Sequence, residues 1–126
     1  MIQIDEKLLY TRSNEWAENL DGVIRTGIDD YSQSSLGDIV HIEIFPEGSR
    51  VMAGKPFGTI EATKSVSDIH SPVTGVILHV NPEIIKSPGL VNIDPYGEGW
   101  LAEISPDNPA ELDSLMTPEA YKSFIL

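Results

Sequence analysis

From Gly22 to Pro106, glycine and proline recur so often that no long helix fits between them. The intervening runs are short and rich in apolar and β-branched residues. Runs of that kind, bounded by turn residues, read as strands. Residues 8–106 are therefore expected to be mainly β. Leu8-Leu9-Tyr10 opens one strand, and Asn14-Glu15-Trp16-Ala17 leads into a second. Asp21-Gly22 is a hairpin signal, because both residues tolerate positive φ. Residues 23–28 then return as a strand. Residues 38–44 alternate in part, with Val40, Ile42 and Ile44 expected on one side. Residues 57–61 run toward Lys64 and residues 65–70 run back. Ser71-Pro72 closes that strand, since proline has no N–H to continue a ladder. After Thr74-Gly75 a strand over residues 76–80 ends at Asn81-Pro82. Residues 36–42 and 73–80 form a faint internal repeat, consistent with two halves of a flattened barrel.

Helices are expected at three places. Asp29 caps a short one ending at Leu36, with Gly37 in the left-handed position beyond it and Tyr31 and Leu36 as its buried residues. Asn108-Pro109-Ala110-Glu111 reads as a capping box, followed at helical spacing by Leu112, Leu115 and Met116. Thr117-Pro118 starts another helix, whose apolar face is Tyr121, Phe124 and Ile125. The expectation is a single domain over residues 1–126, with a β portion at about 8–106 and a helical appendage at about 107–126.

With 20 acidic against 8 basic residues, the net charge is −12. Such a surface repels phosphate backbones, which excludes nucleic-acid binding. It favours a monomer and steers toward basic partners. No cysteine is present, so disulfides, thiolate metal sites and cysteine nucleophiles are excluded. His41, His70 and His79 lack the clustering of a zinc site. No apolar run approaches a membrane span and no signal peptide opens the chain, so the protein is expected in the cytoplasm, or in the mitochondrial matrix of a eukaryote.

The informative segment is Glu61-Ala62-Thr63-Lys64-Ser65-Val66-Ser67-Asp68. A lysine between two strands, flanked by small residues, projects from a hairpin tip where a modifying enzyme can reach its amine. Acylation there replaces an ammonium with a neutral amide on a long flexible stem. The spacing alone leaves two readings open, a covalent carrier and a solvated turn lysine.

Longer stretches favour the first. Glu15-Trp16, Gly27-Ile28-Asp29-Asp30-Tyr31, Leu36-Gly37-Asp38, Glu61 and Lys64 before Ser67-Asp68, Ser71-Pro72-Val73-Thr74-Gly75 and Asp94-Pro95-Tyr96-Gly97-Glu98-Gly99-Trp100 appear in order along the chain. In these the chain resembles the H protein of the glycine cleavage system. The resemblance implies a hybrid barrel-sandwich fold, like that of lipoyl domains, with lipoate in amide linkage to Lys64. It implies a non-catalytic carrier whose arm visits a glycine decarboxylase, an aminomethyltransferase and a dihydrolipoyl dehydrogenase, after loading by a lipoate–protein ligase or a lipoyl or octanoyl transferase. It further implies that Ser13, Glu15, Ile28 and Asp68 form a groove for the loaded arm, with the two carboxylates facing its cationic end and Ile28 as an apolar wall. Glu15 and Asp68 also read as plain solvated acids, and Ile28 as core. Glu61 reads as a contact for the ligase or as a cross-strand residue. Asn14 stands where the family usually has histidine, and Ala62-Thr63 and Ser65 replace the usual neighbours of the lysine. These departures keep two alternatives in play: an H-like carrier serving lipoyl relay or sulfur oxidation, and a non-lipoylated interaction module.

Overall fold

A computed structural model describes all residues from Met1 to Leu126. The chain runs β1 (Leu9–Tyr10), β2 (Glu15–Leu20), β3 (Val23–Ile28), α1 (Asp30–Leu36), β4 (Ile39–Ile44), β5 (Arg50–Val51), β6 (Pro56–Ala62), β7 (Val66–His70) and β8 (Gly75–Val80). It continues through α2 (Pro82–Lys86), α3 (Leu90–Ile93), β9 (Ala102–Pro106), a 3-10 helix (Pro109–Ser114) and α4 (Pro118–Ile125). The strands form two sheets, one ordered β1-β2-β3-β9-β8-β5 and the other β4-β6-β7. All pairings within them are antiparallel. The fold is the expected mainly-β barrel-sandwich. The two segments of the internal repeat end in opposite sheets, β4 in the smaller and β8 in the larger.

Local chemistry sets these elements. Asp21 (φ 54°) and Gly22 (φ 93°) are both left-handed, as a two-residue hairpin loop that matches strand twist requires. The Asp29 side chain accepts from the Ser32 N–H and starts α1, and Gly37 at φ 80° ends it. Between the sheets, Ala17, Ile24, Ile77 and Ile104 meet Ile42, Phe57, Ile60 and Ile69 in one buried cluster. Each large side chain removed from water there contributes on the order of 1.5–3 kcal/mol. A second cluster packs Tyr121 of α4 against Leu8, Tyr10 and Trp16, with the Tyr10 and Tyr121 rings stacked at 4.4 Å. The C-terminal appendage therefore covers the β1–β2 edge through aromatic contact.

Four expectations are corrected. Val40 points outward at 55% exposure, because a bulge between Ile39 and His41 shifts the register and turns Ile39 inward instead. Tyr31 is exposed and α1 buries no side chain fully. The capping box is half formed: Asn108 accepts from the Ala110 N–H, but the Glu111 carboxylate reaches the Thr74 N–H at 2.8 Å rather than its own cap, and the segment winds as a 3-10 helix. Asn81-Pro82 is not only a strand end. Asn81 caps α2, with Pro82 in its first turn, so that α2 and α3 add two short helices to the single internal one expected. No helix is long and apolar enough to cross a membrane.

Candidate functional site

Lys64 occupies the apex of the β6–β7 hairpin. The Ala62 N–H donates to the Ser65 carbonyl at 2.8 Å and closes the turn. The Thr63 N–H donates to the Asp38 carbonyl at 3.0 Å, and its hydroxyl reaches the same oxygen at 3.3 Å. Asp38 is itself bracketed by Asn92 on α3. The Asn92 amide donates to the Gly37 carbonyl at 2.9 Å and accepts from the Ile39 N–H at 3.0 Å. A chain of hydrogen bonds thus runs from α3 to the residue before Lys64, fixing the backbone while the lysine side chain is exposed and has no polar partner. Ser65 is exposed as well, and Val66 is 68% exposed. A free amine, small neighbours and a fixed backbone suit an enzyme that must reach and acylate the amine, so the residues present fit a covalent lipoyl group.

Glu61 is exposed on β6, between His41 of β4 and Val66 of β7, and its side chain makes no hydrogen bond or ion pair. The cross-strand pairing reading therefore lacks a charged partner. His41 pairs instead with Glu43 at 3.2 Å.

The remaining candidates divide. Ser13 and Glu15 come together: the Ser13 and Thr11 hydroxyls both donate to Glu15 Oε1 at 2.5 Å. Glu15 is only 1% exposed. Its Oε2 accepts from the His70 N–H at 3.0 Å and contacts His70 Nδ1 at 3.3 Å. Ile28 pairs with Glu15 across β2–β3, but its side chain is 3% exposed within the core cluster. Asp68 is exposed and lines a separate concavity of about 260 Å³ with Glu43, Phe45 and Thr59. Ser13 and His70 line a cleft of about 600 Å³ together with Arg12, Ser71 and Met116. Asp68 and His70 still share a face of β7, because side chains two apart on a strand point the same way.

Asn14 explains the loop geometry. Its φ of 70° is left-handed, a conformation asparagine tolerates, and its carbonyl accepts from the Asp29 N–H at 3.0 Å. Its side-chain amide lies 3.1 Å from the Tyr121 hydroxyl. Next to it, burial pushes the Asp29 carboxyl up to about 6, against the hydrogen bonds from Tyr121 and Ser32 that favour its charged form. The Tyr96 hydroxyl accepts from the Asp30 N–H at 3.0 Å, and burial pushes it up to about 12.

The run from Asp94 to Trp100 is tightly packed. Gly97 and Gly99 allow the chain to fold tightly over Asp94, whose carboxylate accepts from the Glu98 N–H. The Pro95 carbonyl accepts from Trp16 Nε1 at 2.9 Å. Two contributors went unread in the sequence, His70 and Asn92. A histidine two residues past Asp68 on the same strand face is a signal for the first. The second lies in Leu90-Val91-Asn92, which also resembles the family, but its partners lie 53 and 55 residues away and no local pattern assigns it to the hairpin. No group of three or more acidic or histidine side chains is placed to hold a metal ion.

Comparison with known proteins agrees over nearly the whole chain. The family model described as glycine cleavage H-protein matches residues 8–126. The mitochondrial glycine cleavage system H protein of Mesembryanthemum crystallinum is 47% identical over 117 residues, 93% of this chain and 71% of that one. The glycine cleavage system H protein of Carboxydothermus hydrogenoformans is 45% identical over 126 residues, covering 99% and 96%. The crystal structure of a glycine cleavage system H protein from Mycobacterium marinum superposes with a TM-score of 0.88 at 33% identity, covering 95% of this chain and 97% of that one.

Proposed function

The chain belongs to the glycine cleavage H-protein family, and on that premise we propose that it is a non-catalytic lipoyl carrier whose arm is attached to Lys64. The observation that carries this reading is the exposed, unpaired lysine on a backbone turn tied to Asp38. When attached, lipoate would supply a disulfide whose S–S bond opens to carry the aminomethyl group of glycine on one sulfur, and the dithiol that remains on the arm after transfer of that group would be reoxidised. The chain's own work is mechanical and electrostatic. The hairpin presents the arm, and tethering replaces diffusion with a high local concentration at each partner. Glu61, free on the hairpin, serves as a contact for the enzyme that attaches lipoate. Ser13 and Glu15 offer a carboxylate and a hydroxyl to the cationic end of the loaded arm. Asp68 lies on the strand face leading there, and Ile28 backs the site from the core.

On this reading the partners are a glycine decarboxylase, an aminomethyltransferase, a dihydrolipoyl dehydrogenase and a lipoate–protein ligase or lipoyl transferase. The protein acts as a single-domain monomer in the cytoplasm, or in the matrix if its source is eukaryotic. Its test is glycine–bicarbonate exchange with a glycine decarboxylase. Fully lipoylated protein supports exchange and the unmodified protein does not. Absence of exchange with fully lipoylated protein would move the carrier to another lipoyl route.

A further inference from the structure

We propose that His70 is a positioning residue that competes with the cationic end of the loaded arm for Glu15, and so limits how tightly the arm is held. This rests on the reading that an arm on Lys64 shelters its amine against Ser13 and Glu15.

A carboxylate offers about four acceptor sites, and Glu15 uses all of them. Thr11 and Ser13 take Oε1, and the backbone and ring of His70 take Oε2. An arriving ammonium must therefore displace a partner. The His70 N–H is fixed in β7, and Thr11 Oγ1 is also held by the Glu15 N–H at 3.1 Å. The His70 ring makes the longest of the four contacts, at 3.3 Å, with 30% of its side chain exposed. It borders the 600 Å³ cleft, so it has room to swing out. It is the replaceable partner.

The position suits the role. Val66, Asp68 and His70 share the outer face of β7, and four residues at about 3.3 Å each put His70 about 13 Å along the strand from Val66. An octanoyl-length chain on a lysine side chain spans that order of distance from the hairpin tip. While the arm is elsewhere, His70 keeps a buried carboxylate partnered, and an unpaired one is costly. Docking of the arm is then an exchange of one partner for another, not a net gain. That leaves the arm able to depart for the next enzyme.

The test uses the full chain lipoylated on Lys64, with Glu15→Gln, His70→Ala and the double variant. The first readout needs no activity. The His70 imidazole NMR signal shifts on Glu15→Gln in the unloaded protein, and shifts again when the wild-type arm is loaded. The second is the spontaneous hydrolysis of the loaded arm, in which water releases formaldehyde and ammonia and restores the dithiol. His70→Ala slows this loss by about 3- to 10-fold, the scale of one net hydrogen bond. Glu15→Gln speeds it, and the double variant matches Glu15→Gln. Unchanged or faster loss from His70→Ala, with Glu15→Gln still faster than wild type, overturns the competition and leaves the sheltering intact. No effect of Glu15→Gln overturns the sheltering and the proposal with it.

Discussion

The Tyr121 hydroxyl donates a hydrogen bond to the buried carboxylate of Asp29, which lies 92 residues earlier in the chain. One contact thus joins α4 to the cap of α1, beside the turn that carries Ser13 and leads into Glu15 of β2. Asp29 is fully buried and Tyr121 is 0% exposed. Burial raises the Tyr121 hydroxyl well above the ordinary tyrosine value, so it stays a donor at every working pH.

Tyr121→Phe keeps the stacking on Tyr10 but strips one donor from the buried carboxylate. The expected loss is about 1–3 kcal/mol in urea unfolding. Titration of Asp29 in the variant moves above the wild-type value, because the lost bond favoured the charged form.

Asp29 also sets a pH dependence. Its folded value of about 6 lies above the ordinary 3.8, so between those values the folded state binds more protons than the unfolded one. Its contribution is fully present below about pH 4 and is lost as pH rises through 6. At about 1.4 kcal/mol per unit, the change is at most roughly 3 kcal/mol. Asparagine caps helices as well as aspartate does. Asp29→Asn should therefore remove this slope, so that stability of the variant relative to wild type increases from pH 4 to 6.5. The check is paired urea titrations at both pH values.

Local signals were legible wherever one residue's chemistry decided the outcome. Asp21-Gly22 fixed a hairpin, Asp29 and Gly37 bounded α1, and the small residues around Lys64 marked an accessible tip. The misses have nonlocal causes. Val40 faces out because of a bulge that only the β6 partner reveals. Glu111 abandons its own cap for the Thr74 N–H, 37 residues away. The start of β2 at Glu15 was legible as a motif, but the His70 contact that fills the last acceptor site of Glu15 spans 55 residues. Pairings at such separations follow from the sheet topology, which no window of sequence contains.

Asn92 anchors the hairpin from behind. Asn92→Ala removes its bonds to Gly37, Ile39 and the Gln33 side chain at 3.0 Å, and frees the Asp38 carbonyl segment. The expected cost is about 1–3 kcal/mol. In hydrogen exchange, the Thr63 amide loses protection, while the Ile60 amide in the middle of β6 changes only by the global loss.

Gly27 is required by close approach. A Cβ there would lie 2.8–2.9 Å from the Trp16 indole. Gly27→Ala forces the ring to shift and should cost about 1–3 kcal/mol. A change in Trp16 fluorescence accompanies the loss, and an unchanged spectrum with unchanged stability would show that the ring moves freely.

The carrier reading turns on Lys64, and intact mass measures it directly. The protein is weighed before and after incubation with lipoate, ATP and a lipoate–protein ligase, beside a Lys64→Ala control. The account predicts a single lipoyl increment on the wild-type chain and none on the control. A folded wild-type chain that gains no mass, or a control that gains the same increment, would contradict it.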